Sequence, residues 1–254
     1  MAKHTTHHAG ETLDELQSAA DRLGMFIQSN LRAVVAAIVV LLLIAGALSL
    51  FLASRRKADT NASIALADAR ADYLEAMGAP AGSLEVPELA NPDAAKRIRE
   101  EYLARYNEIA DAHQGTVSGA LARLEAAELQ MRAKENDAAL ETLRKARAQA
   151  PKNPALQGVI LQREAQVLEQ AERFAEAADL HEEAAGLDGY PLNDYALADA
   201  ARCRVVAGEL DAARDLYARL DVEAPNLQLP DYQRMQKREL TGEKPAEPKE
   251  AAAP

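Results

Sequence analysis

Hydrophobic and polar positions divide the chain into stretches of different period. From Val34 to Ala53 no charge interrupts the run VVAAIVVLLLIAGALSLFLA, and Arg55, Arg56 and Lys57 close it. At about 1.5 Å of rise per residue, such a helix covers roughly the 30 Å of a bilayer's hydrocarbon core. Three adjacent cations belong at headgroup level. A cleaved signal peptide would carry a shorter apolar region nearer its start. Residues 33–54 are therefore expected to form one retained transmembrane helix. Before it, Leu13, Leu16, Ala20, Leu23 and Ile27 recur at three- and four-residue steps. They predict a short amphipathic helix over residues 11–31, within a polar head of residues 1–32. After it, Ile64, Ala67, Ala71 and Leu74 predict that a helix over residues 55–77 leaves the membrane. The Gly- and Pro-rich stretch GAPAGSLEVPELANP (Gly78–Pro92) predicts a loop over residues 78–92. Asn91-Pro92 reads as a helix start, and Ile98, Tyr102, Tyr106 and Ile109 share one face of that helix.

From Thr116 the pattern repeats. Ala127, Ala139, Leu143 and Pro151 form one set; Ala165, Ala177, His181 and Gly189 a second; Ala201, Ala213, Tyr217 and Pro225 a third. Within each set the steps are twelve, four and eight residues, and the sets lie 38 and then 36 residues apart. Each unit reads helix, short turn, helix, breaker. The first Ala lets the two helices of a unit approach and the second lets the next unit stack. The bulkier residue fills the groove, and Pro or Gly stops the helix. One such hairpin cannot bury its apolar face alone, so units stack. The spacing resembles the tetratricopeptide repeat, with Arg123, Ala127 and Gln130 standing where that repeat has Trp, Gly and Tyr. The expected fold class is all-α: a single N-terminal transmembrane helix followed by a degenerate tetratricopeptide-like α-solenoid. The helical-repeat domain is expected over residues 93–240, with repeats at about 120–151, 158–189 and 194–225. A disordered tail is expected over residues 241–254.

Composition agrees with helices: there is no Trp, only 3 Phe, and abundant Ala, Leu, Glu and Arg. The net charge is −11, and the chain after Lys57 is more acidic still, because the cations at 55–57 lie outside it. That argues against nucleic acid as a partner. Cys203 is the only cysteine, which leaves no intramolecular disulfide and suits a small core residue. His4, His7 and His8 lack the carboxylate or thiol framework of a metal site. No phosphate loop, HExxH, CxxC or nucleophile elbow is present, His113 stands alone, and His181 fills a packed position. No enzyme, cofactor or metal is expected.

The layout of polar head, single anchor, post-anchor helix and degenerate repeats resembles the YfgM-type ancillary subunit of the bacterial SecYEG translocon. Two stretches carry the resemblance: NASIALADARADYLEAM (Asn61–Met77) and TVSGALARLEAAELQMRAKENDAALETLRKA (Thr116–Ala146). It implies an inner-membrane, single-pass interaction module near the protein-export channel and envelope chaperones, one that holds or hands on client segments. The alternative is a structural adaptor of an envelope assembly such as cell-division or cell-wall machinery. In tetratricopeptide arrays the first helices line the partner-binding face. By the repeat steps, Leu124 and Glu128, Gln162 and Gln166, and Ala198 and Arg202 are equivalent pairs one turn apart there. They are the expected partner-binding residues, with protein segments as partners. Arg22 and Arg32 before the anchor face Arg55, Arg56 and Lys57 after it. The positive-inside rule alone keeps the repeats in the cytoplasm, whereas the resemblance implies the periplasm. A periplasmic repeat domain is the expectation.

Overall fold

The structure, a computed structural model, describes residues 30–242 apart from Ala81 and Leu84. The amphipathic helix expected over residues 11–31, the histidines of the head and the tail beyond Gly242 lie outside the described residues, except for the few at their inner edges. Every regular element among the described residues is a helix. They are α1 (Leu31–Ala76), α2 (Pro92–Ala112), α3 (Val117–Arg132), α4 (Asn136–Gln149) and α5 (Pro154–Gln170). Then come α6 (Phe174–Ala185), α7 (Asn193–Val206), α8 (Leu210–Glu223) and α9 (Asp231–Thr241). The chain divides into two compact units, Met1–Arg56 and Lys57–Pro254.

In the first unit, α1 contains a window long and apolar enough to cross a membrane, none of it buried by protein. The apolar side chains from Leu41 to Leu52 point outward all round, as a helix solvated by lipid requires. The Arg55 guanidinium lies 4.7 Å over the Phe51 ring.

In the second unit the helices pack as antiparallel neighbours joined by short turns. The last turns of α1, with α2 and α3, enclose Leu66, Ala69, Tyr73, Met77, Tyr102, Tyr106, Ile109 and Ala126. Tyr73 and Tyr102 lie with ring centroids 5.2 Å apart, and Tyr106 sits 6.4 Å from each. The buried face of α1 is thus Ala62, Leu66, Ala69, Tyr73 and Met77, not the expected stripe: Ile64, Ala67 and Ala71 are exposed. The alanines at 67 and 71 offer little area, whereas Leu66, Tyr73 and Met77 bury far more apolar surface on the competing face. Between α1 and α2, Val86 and Leu89 pin the connection onto this core.

Helix pairs α3/α4, α5/α6 and α7/α8 follow the repeat steps. Ala127, Ala139, Leu143, Ala165, Ala177, His181, Ala201, Ala213 and Tyr217 are all buried. Local signals set the ends. Asn91, Thr116 and Asn153 each accept hydrogen bonds from first-turn amides of α2, α3 and α5, with Pro92 and Pro154 entering the first turn. Within each pair the turn contains one residue in the left-handed region: Lys134 (φ 61°), Glu172 (φ 58°) and Gly208 (φ 81°). Arg123, buried at the α2–α3–α4 junction, bonds Asp111, Asn107 (3.1 Å) and Gln149 (3.3 Å). Helix α9 closes the stack on α8, with Leu227, Leu229 and Leu240 set against the last core.

Candidate functional site

The first helices α3 and α5 each present one stripe away from their second helices. Glu128 and Arg132 lie along it on α3, and Arg163, Gln166 and Gln170 on α5. Between them opens a cleft of about 510 Å³, lined also by Met131, Glu169 and Phe174. Met131 and Phe174 supply its apolar lining. Its walls carry a ladder of polar groups. Arg132 Nε donates to Glu128 at 3.1 Å, Arg163 approaches the other Glu128 oxygen at 3.8 Å, and Arg163 donates to Gln166 at 2.9 Å. These side chains are half-exposed, so each pair contributes only about 0–1 kcal/mol and exchanges readily for bonds to another molecule.

The expected partner residues divide by their place on this surface. Glu128 and Gln166 line the cleft. Leu124 is half-buried against the core under α3. Gln162 is half-buried and accepts a hydrogen bond from the Tyr190 hydroxyl. Ala198 is 1% exposed and cannot touch a partner, which corrects the expectation for it. Arg202 turns inward: it donates to Glu169 at 2.8 Å and to Asp199 at 3.4 Å. Positions 124, 162 and 198 pack within the stack, whereas Glu128 and Gln166 reach the cleft. Arg132, Arg163 and Gln170 were not among the expected residues. Moving one turn along the helix from Glu128 and Gln166, with the same repeat step, reaches them.

Beneath the cleft, α5, α6 and α7 bring together Glu169, His181, Arg202 and Cys203. His181 Nε2 lies 3.0 Å from Glu169 Oε1, the same oxygen that accepts from Arg202. His181 and Cys203 are buried, and His181 Nδ1 has no hydrogen-bond partner among the described residues. Burial pushes the Glu169 carboxyl up, but hydrogen bonds from His181 and Arg202, with their charge, outweigh it and hold the group at about 2. Burial pushes the Cys203 thiol up to about 12. Asp199 joins the ladder, accepting from Gln233 of α9 at 3.0 Å.

Together these features define a stack of helical hairpins with an open cleft on its first helices, preceded in the chain by a helix apolar enough to cross a membrane. No family model and no curated protein matches the chain. Among solved structures it is similar to YrrB, described as a TPR protein with an unusual peptide-binding site, at 19% identity and a TM-score of 0.38. The match covers 52% of this chain and 63% of that one, under two thirds of its length. The assignment as a hairpin stack rests on the packing above and not on that likeness.

Proposed function

We propose that this chain is a membrane-anchored protein–protein interaction module, binding extended segments in the cleft between α3 and α5. The observation that carries the reading is the cleft's composition. Met131 and Phe174 offer apolar contact, while Gln166, Gln170, Arg132 and Arg163 offer groups that bond a partner's backbone. The apolar run before Arg55 ties the module to the inner membrane. The likeness of residues 61–77 and 116–146 to the YfgM-type translocon subunit supports a periplasmic module beside the export channel, where it holds or hands on client segments and meets envelope chaperones. It is a binding protein rather than an enzyme.

Purification of the full chain from crosslinked native membranes tests the assignment. Recovery of export-channel subunits and secreted clients is the expected result. Recovery of cell-wall or division proteins in their place overturns it in favour of an adaptor of that machinery. An alkaline phosphatase fused after Pro254 should be active, and an inactive fusion places the repeats in the cytoplasm.

A further inference from the structure

We propose that Glu169, His181 and Cys203 form a binding site for a transition-metal dication of the zinc type, bridging the second and third hairpins. The three residues come from three helices, α5, α6 and α7, and each offers one ligand atom. Those atoms lie within 4.8 Å of one another. Tetrahedral zinc, with bonds of about 2.0–2.3 Å, places its ligand atoms roughly 3.3–3.8 Å apart, so the widest separation closes by about 1–1.5 Å while His181 Nε2 and Glu169 Oε1, 3.0 Å apart, open slightly. Thiolate, imidazole and carboxylate together select a borderline-soft ion over calcium or magnesium.

The surroundings fit such an ion. His181 is held by one contact only, since its Nδ1 has no partner among the described residues, and no second hydrogen bond fixes its tautomer. Without metal, Nε2 carries the proton that Glu169 accepts; on metal binding the imidazole shifts to the tautomer with its proton on the unpartnered Nδ1, which frees the Nε2 lone pair for the ion. The guanidinium of Arg202 is the competitor, because it donates to the same Glu169 oxygen. It already has a second partner in Asp199, at 3.4 Å. When the ion binds, Arg202 retains Asp199 and the Cys203 thiol releases its proton to solvent. The dication and Arg202 then balance Glu169, Asp199 and the thiolate, leaving no net charge in the buried cluster. Glu169 also lines the cleft, which gives the ion a path from solvent and leaves a fourth position open to water or a partner's side chain.

Titration of the full, metal-stripped chain in detergent with Co²⁺ tests the site. Because Cys203 is the only cysteine, a sulfur-to-cobalt charge-transfer band reports this site and no other. The expected result is that band at one equivalent, displaced by Zn²⁺, with a rise in melting temperature. It is lost in Cys203→Ser and kept when His4, His7 and His8 are replaced by Ala. Glu169→Gln, which preserves shape, weakens Co²⁺ binding by about tenfold or more. Should Cys203→Ser fail to fold, that variant decides. Absence of the sulfur band, its persistence at undiminished affinity in Glu169→Gln, or Co²⁺ binding that vanishes with the three head histidines overturns the proposal.

Discussion

At the scale of single residues, two backbone positions govern how the hairpins fit. The ring of Tyr190 lies flat on α5 at Gly158, where a Cβ would approach its carbons to 2.4 Å. Gly158→Ala must displace a buried ring whose hydroxyl bonds Gln162, and is expected to cost about 1–3 kcal/mol in urea denaturation. Gly186→Ala, whose Cβ meets nothing nearer than 3.6 Å, is the matched control and should change little. The second position is the turn inside each hairpin, where Lys134, Glu172 and Gly208 all adopt positive φ. A side chain there is strained by about 1–2 kcal/mol, partly offset by its smaller chain entropy when unfolded. Lys134→Gly and Glu172→Gly should therefore stabilise by up to about 1 kcal/mol, and Gly208→Ala should destabilise by a similar amount. An opposite sign at all three would refute the turn geometry. None of the three turns was located from the sequence, and Lys134 and Glu172 carry no signal for the left-handed region.

Elements were legible wherever size alternated with a fixed step. The alanines at 127, 165 and 201 and at 139, 177 and 213 are buried because only a methyl group fits where helices cross. The face of α1 beyond the apolar run was not legible, because an Ala-rich helix carries two competing stripes and the partner surface on α2 and α3 decides between them. Buried ionised groups between elements were also hidden. Glu164 of α5 is 1% exposed beneath Arg147 of α4, 3.3 Å away, and Arg147 also reaches Glu183 of α6 at 3.0 Å. Burial raises the Glu164 carboxyl above its ordinary value, and Arg147 only partly opposes this. The folded state then holds its proton more tightly than the unfolded chain does. Stability is lost as pH rises from the unfolded value through the folded one. Glu164→Gln should be more stable than the wild type at neutral pH, with the gain vanishing below about pH 4.5. A gain that grows as pH falls would contradict this. Arg147 retains Glu183 in the variant, so no cation is orphaned.

At the scale of the whole molecule, the long apolar helix and the hairpin stack could be read directly, because both depend on composition and period over many residues. The cleft could be read only in part. Glu128 and Gln166 line the cleft, whereas Ala198 packs away and Arg202 is held by Glu169. Their fate depends on how far the third hairpin closes on the second, which no single helix encodes. The second unit has its own cores, so residues 57–242 expressed alone should be strongly helical and unfold cooperatively without detergent. Aggregation of that piece would show that its packing needs the apolar run. The claim that partners enter the cleft is tested most directly by placing a photo-crosslinking residue at Gln166 in the full chain in native membranes. The same residue at Val222, 82% exposed on α8, serves as the reference. Protein adducts formed from position 166 and not from 222 are predicted; adducts from 222 with none from 166 would contradict the account.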